Sequence, residues 1–176
     1  MIQRVFVLGA SGSGKTTFAR AIARRLEVDH IELDSIHWQP NWTPREKTSF
    51  LAEVDQRTAA PRWAMDGNYR SASRLTWPRA DTFVWLDYPM RVVFWRLSRR
   101  TFARWWHDIE LWNGNRERLW EHFLTDKSLY LWMMQSWRRY RYEYPKLLRQ
   151  QATLGRRVIR FHSPEAAAKW LESECE

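Results

Sequence analysis

Arg4-Val5-Phe6-Val7-Leu8-Gly9-Ala10-Ser11-Gly12-Ser13-Gly14-Lys15-Thr16-Thr17 is the stretch that decides how this chain is read. From Arg4 to Gly9 the run is apolar without alternation, as suits a parallel strand buried on both faces. From Gly9 to Thr16 the spacing G-x-x-x-x-G-K-[ST] is complete. From Lys15 to Leu26, Phe18, Ala19, Ile22, Ala23 and Leu26 share one face of a helix. A glycine-rich turn between a strand and a helix is a cradle for phosphate. The glycines let backbone N–H groups turn inward, and the helix N-terminus adds partial positive charge. The spacing therefore predicts binding of Mg·ATP through Gly9, Ala10, Ser11, Gly12, Ser13, Gly14, Lys15, Thr16 and Thr17. Lys15 would reach the terminal phosphates, and the Thr16 hydroxyl would sit on the magnesium.

Outward from this loop, short strand patterns alternate with helical ones. His30–Asp34, Trp63–Gly67, Asp81–Asp87 and Arg157–Phe161 read as further strands. Thr43-Pro44-Arg45-Glu46 reads as a helix start, with Thr43 as cap, running to about Ala60 before Pro61. Pro89 opens a helix to about Trp105, and His107–Asn115 reads as a loop or small lid. Helical patterns follow over Arg116–Leu124 and Asp126–Gln151, the second with Pro145 inside it. Ser163-Pro164 starts a last helix. The alternation predicts a three-layer α/β/α fold with a five-stranded, mostly parallel sheet. Residues 1–176 are expected to form one domain, with a basic helical lid region at about 100–125.

Composition narrows the class. The chain has 176 residues, 44% hydrophobic and 28% charged, which excludes a disordered chain. No apolar run approaches a membrane span, and the opening residues lead straight into a strand, so a cytoplasmic protein is expected. One cysteine excludes a disulfide framework. The net charge is +9, and residues 91–160 hold 16 Lys and Arg against 6 Asp and Glu, which is the whole surplus. Such a block suits polyphosphate or nucleic acid, or is a helical face solvated by arginine.

Candidate site residues lie at the strand ends. Asp66 ends the third strand within Asp66-Gly67-Asn68-Tyr69-Arg70, in the frame D-G-x-x-R. This element resembles adenylate kinase and its relatives, whose third strand ends in a D-G-F-P-R type motif. The resemblance implies that Asp66 serves the metal with Thr16 and that Arg70 holds the acceptor; the bland alternative for Asp66 is an Asp-Gly turn. Asn68 and Tyr69 stand where those relatives carry Phe-Pro. Asp87-Tyr88-Pro89 followed by Arg96 and Arg100 matches a second element of the same family, in which helix arginines close over the transferring phosphoryl group. Arginines four apart share a helix face and repel unless an anion joins them; otherwise they form a solvated basic face. Asp87 itself is read as structural. Asp34 resembles the aspartate that small-molecule kinases such as the shikimate and gluconate kinases set against their acceptor. It reads as the acceptor's anchor or base, as a distant metal-shell residue, or as a helix cap.

Gly9–Thr16, Leu33-Asp34-Ser35-Ile36-His37-Trp38, Trp63–Tyr69, Trp85–Pro89 and Asn113–Glu117 together resemble the adenylate-kinase-like group often labelled "DNA topology modulation protein" (FlaR type). The resemblance implies a phosphotransferase in which Lys15, Asp34, Arg70, Arg96 and Arg100 act on the transfer of the γ-phosphoryl group to a small acceptor, a nucleoside monophosphate or a related molecule. Adenine is then expected near His162-Ser163-Pro164. Two alternatives stand beside this reading: an ATP-binding regulator docking on nucleic acid through the 91–160 face, and a kinase of a small hydroxylated metabolite using Asp34 as base. Of the 13 tryptophans, Trp85, Trp95, Trp120, Trp132 and Trp137 are expected to pack, while Trp38 and Trp42 flank the expected acceptor site.

Overall fold

β1 (Arg4–Gly9) runs through the centre of a five-stranded sheet and carries the glycine loop at its carboxyl end. The computed structural model describes residues 2–115 and 129–174. Beside β1 lie β5 (Trp63–Asp66) and, beyond it, β2 (Asp29–Glu32); on the other side lie β6 (Thr82–Leu86) and β7 (Arg157–Phe161). All four pairings are parallel. Parallel order demands crossover helices, which cover both faces of the sheet and explain the unbroken apolar strands. Val5, Val7, Ala64, Met65, Phe83 and Val84 are fully buried.

α1 (Lys15–Leu26) lies where its periodicity predicts and buries Phe18, Ala19, Ile22 and Ala23. β2 ends at Glu32, in register with Asp66, and the chain turns at once into α2 (Leu33–His37). Asp34 therefore sits in the first turn of a short helix and not on the strand. Buried Leu33 and Ile36 drive this turn, and the Ser35 hydroxyl donates back to the Glu32 carbonyl at 2.7 Å.

The expected helix start at Thr43 is three residues early. Thr43–Pro44 (β4) instead pairs antiparallel with Trp38–Gln39 (β3), and the Arg45 N–H donates to the His37 carbonyl at 2.7 Å. α3 (Lys47–Thr58) is capped by Glu46, whose carboxylate accepts from Ser49 N–H at 2.9 Å and from the Thr48 hydroxyl. These bonds hold the Glu46 carboxyl down to about 2.

α4 (Arg70–Thr76), which the sequence reading did not foresee, follows β5 directly. α5 (Met90–Trp106) starts after Pro89 and buries only Val93, Leu97 and Thr101. Trp95, expected to pack, is 63% exposed because that narrow stripe excludes it; Trp132 is exposed as well. α6 (Leu129–Thr153) contains Pro145, and α7 (Pro164–Glu174) is capped by the Ser163 hydroxyl, which accepts from Ala166 N–H. Trp120, the expected Arg116–Leu124 helix and the far part of the expected lid lie outside the described residues. No described helix is long and apolar enough to cross a membrane.

Candidate active site

The glycine loop is held by close packing. Gly12 and Gly14 have φ of 87° and 86°, a region open to glycine at little cost. A Cβ on Gly12 would stand 2.6 Å from the Val93 carbonyl oxygen and 2.9 Å from Leu97 Cβ, so the loop lies flat against α5. The Ser13 N–H donates to the Ala10 carbonyl at 3.0 Å. The α1 ladder opens with Phe18 N–H to the Gly14 carbonyl at 2.9 Å, which leaves the N–H groups of Lys15, Thr16 and Thr17 for a ligand. Lys15 makes no ion pair with any described residue.

Two strand ends meet beside the loop. The Thr16 hydroxyl donates to Asp66 Oδ2 at 2.6 Å, and His30 Nε2 lies 2.8 Å from Asp66 Oδ1. Asp66 is almost wholly buried, and its backbone partner across the sheet is Glu32. Burial first, and then the charge of Asp66, push the Glu32 carboxyl upward; Arg20 stands 3.6 Å away as its counter-ion.

A second carboxylate follows two residues into α2. Tyr69 donates its hydroxyl to Asp34 Oδ1 at 2.7 Å. Its ring packs against His37, with centroids 4.6 Å apart, and against Phe50, at 5.3 Å. Burial, reinforced by Asp34, drives the Tyr69 phenol far above its ordinary pKa, so it acts only as a donor. Desolvation lowers the pKa of His37, against the opposing pull of Asp34. Asn68, the neighbouring departure from the resembled motif, donates to the Gly9 carbonyl at 2.7 Å and accepts from the Tyr144 hydroxyl at 3.2 Å. Both departures are thus used: Asn68 ties the turn after β5 to the glycine loop, and Tyr69 ties it to α2.

The arginines divide into two groups. Arg96 reaches back over the loop, its guanidinium 3.1 Å from where a Gly14 Cβ would stand, and its charge acts on Tyr88 and Glu165. Arg70 is exposed at the start of α4, without an ion-pair partner among the described residues. Arg100, one helical turn beyond Arg96, is half-buried. By contrast, Arg160 pairs with buried Asp87 at 2.5 Å while lying over the Trp85 ring, and Arg141 pairs with Asp87 at 3.3 Å while lying over Trp137. His162 Nδ1 stands 3.6 Å from the same carboxylate. Part of the basic surplus is therefore spent inside the fold, and Asp87 is the hub of an ion cluster.

Trp38, Trp42 and Trp112 form an edge-to-face row beyond Asp34, with centroids 5.7 and 6.1 Å apart. The row is fastened by Asn115, which accepts from Trp42 N–H at 2.7 Å and donates to the Gln39 carbonyl at 2.9 Å. Asn113 donates to the Trp38 carbonyl. The described end of the expected lid thus docks on the β3–β4 hairpin.

The residues suit a magnesium–triphosphate ligand. Positive-φ glycines, the buried Ser13 hydroxyl without a hydrogen-bond partner, and the Thr16–Asp66 pair lie in or beside the glycine loop and are of the kinds such a ligand needs. Among the described residues, no group of three or more His, Cys, Asp or Glu side chains could hold a metal unaided. A Mg2+ ion here would share its ligands between protein and phosphate.

No protein-family model matches the chain. It is similar to the uncharacterized protein YqaC of Bacillus subtilis (strain 168), at 26% identity over 139 residues, covering 74% of this chain and 74% of that protein. Among solved structures it is similar to a gluconokinase from Sinorhizobium meliloti 1021, with a TM-score of 0.54 and 19% identity over 97% of this chain and 87% of that one. A shikimate kinase from Bacteroides thetaiotaomicron gives a TM-score of 0.57 and 16% identity over 98% and 96%. The chain therefore shares its three-layer α/β/α fold with this gluconokinase and this shikimate kinase across nearly its whole length.

Proposed function

We propose that this protein is a kinase that transfers the γ-phosphoryl group of Mg·ATP to a hydroxyl group of a small molecule. What carries the reading is Asp34, held at 2.7 Å by the hydroxyl of Tyr69, which also feels the charge of Asp66. With one oxygen engaged by Tyr69, the other is left to accept a hydrogen bond from an incoming hydroxyl and to draw off its proton. A carboxylate serves a hydroxyl acceptor in this way, whereas an anionic phosphate acceptor would meet Glu32, Asp34 and Asp66 as like charges. The glycine loop and Lys15 would grip the triphosphate, and Thr16 and Asp66 would hold Mg2+. The metal would neutralise charge between the outer phosphates. Arg96, Arg100 and Arg70 would meet charge that builds on the phosphoryl group in flight. The tryptophan row would supply an aromatic wall for the acceptor.

A second reading, transfer to a nucleoside monophosphate as in the adenylate-kinase-like group, is supported by Arg70, an exposed cation at the start of α4 with no ion pair of its own among the described residues. The deciding experiment is transfer from γ-labelled ATP to a panel of polyols, sugars, hydroxy acids and nucleoside monophosphates, with wild-type and Asp34→Asn protein. Transfer to a hydroxyl compound that falls by about 10²–10⁴-fold in Asp34→Asn is expected. Transfer confined to monophosphates and indifferent to Asp34→Asn would refute the first reading and establish the second.

A further inference from the structure

Asp66 presents both oxygens to neighbours, and the two neighbours come from different elements. Thr16 belongs to α1 and makes the metal-side contact. His30 belongs to β2, where it precedes Glu32 by two residues, so both side chains leave the same face of the strand. Glu32 and Asp66 are register partners on adjacent parallel strands, so their side chains leave the sheet side by side. β2 thus offers buried Asp66 one repelling group, Glu32, and one donor, His30. At 2.8 Å the His30 Nε2–Asp66 Oδ1 contact is a hydrogen bond, and toward an ionised carboxylate, which only accepts, it is the Nε2–H that donates.

We propose that His30 is a positioning residue for the metal-side carboxylate, holding Asp66 turned so that Oδ2 faces Thr16 and the magnesium position. The inference rests on the reading of Asp66 as a metal-side group and adds the residue that orients it. The rotation of a carboxylate about its last bond is soft. Thr16 fixes one oxygen only, and Glu32 pushes from the side. With His30 absent, buried Oδ1 has no protein donor, and the group turns to find one. Partners that orient metal-side groups typically contribute a factor of about 10–100 in metal affinity or activity. His30 touches neither phosphate nor acceptor in this arrangement, so its effect is confined to the metal-dependent part of nucleotide binding.

The test compares ATP affinity in EDTA with ATP affinity in saturating Mg2+, read by the tryptophan fluorescence of the full chain, for wild type, His30→Leu, His30→Gln and Asp66→Asn. His30→Leu keeps volume and loses the donor; His30→Gln keeps an N–H donor. The expected result is a gain in affinity on adding Mg2+ that is about tenfold smaller in His30→Leu and within twofold of wild type in His30→Gln, with unchanged affinity in EDTA for both His30 variants. A wild-type magnesium gain in His30→Leu alongside a lost gain in Asp66→Asn would overturn the proposal and leave the metal reading standing. An unchanged gain in Asp66→Asn would overturn both. A reading on the unsubstituted chain needs no variant to fold: the imidazole 15N resonances of His30 should report a ring protonated at Nε2 and should move when Mg2+ joins the ATP complex. A ring that is unprotonated at Nε2, or resonances that stay still, would overturn the proposal.

Discussion

Replacing Asp87 by Asn separates fold from chemistry at the strand end beside the glycine loop. Asp87 is 3% exposed and meets Arg160 at 2.5 Å, Arg141 at 3.3 Å and His162 at 3.6 Å. At an effective dielectric of 20, opposite charges 4 Å apart attract by about 4 kcal/mol, and desolvation of the carboxylate offsets much of that. Removing one partner of a fully buried pair costs about 3–5 kcal/mol. Here the side chain of Arg160 is 41% exposed and that of Arg141 42%, so both can return to water when the carboxylate charge is removed. The expected loss is therefore roughly 2–3 kcal/mol, below the fully buried figure. For a chain of this size that lowers the melting temperature by roughly 5–10 °C, within the stability a folded domain can lose. The assay is thermal and urea denaturation beside titration with Mg·ATP. Asp87→Asn should be less stable and bind Mg·ATP as wild type does, whereas Asp66→Asn should lose the magnesium-dependent part of binding. A variant at 87 with wild-type stability and impaired Mg·ATP binding would refute the assignment of Asp87 to the fold.

Lys15→Ala should abolish triphosphate binding or turnover and leave the melting temperature within a degree or two, since the side chain has no ion pair among the described residues; undiminished ATP affinity by calorimetry would refute the phosphate-loop argument. Arg96→Ala should lower kcat and kcat/KM together with ATP affinity nearly unchanged, while a variant that alters only DNA affinity across a salt series would favour the docking alternative for the 91–160 face. Glu46→Gln should destabilise the fold in a pH-dependent way: the cap carboxyl is held down from 4.5 to about 2, chiefly by the Thr48 hydroxyl, so its contribution is full above 4.5 and lost as pH falls through about 2. The gap between wild type and variant in urea midpoint should then close from pH 6 toward pH 2, and a gap constant over that range would contradict the cap.

Elements with a strong period of their own were legible before folding. β1 is an apolar run ending at a glycine, β7 is a short Val-Ile-Phe strand that follows Gly155, and α1 carries five apolar positions on one face, so their bounds agree with the structure. The failures are short pieces whose local pattern fits more than one structure. Thr43 and Pro44 have every local feature of a helix start, yet the hairpin with Trp38–Gln39 and the bond from Arg45 N–H to His37 pull them away. α4 has only seven residues, with two serines, and reads locally as a turn. Within the site, the glycine loop is a contiguous motif and was legible whole. His30–Asp66 and Tyr69–Asp34 join residues 36 and 35 apart, and Asn68–Gly9 spans 59, so no local pattern announces them. One signal was present: Asn68 and Tyr69 replace the Phe-Pro of the resembled motif, and both turn out to make the hydrogen bonds that organise the site.

The asparagine fastening of the β3–β4 hairpin bears on the order in which the molecule assembles and comes apart. Asn113 and Asn115 reach partners 73 to 78 residues away, and the hairpin they hold has only two residues in each strand. A contact that closes so long a stretch of chain is rewarded only after the intervening sheet is in place. The glycine loop, in contrast, closes on Ser13–Ala10 and Phe18–Gly14 bonds between near neighbours. The tryptophan row is therefore the last part of the site to order and the first to open, and the amides of Trp42 and Asn115 should exchange with solvent well before that of Phe18. A molecule with its hairpin undocked would still carry an intact glycine loop.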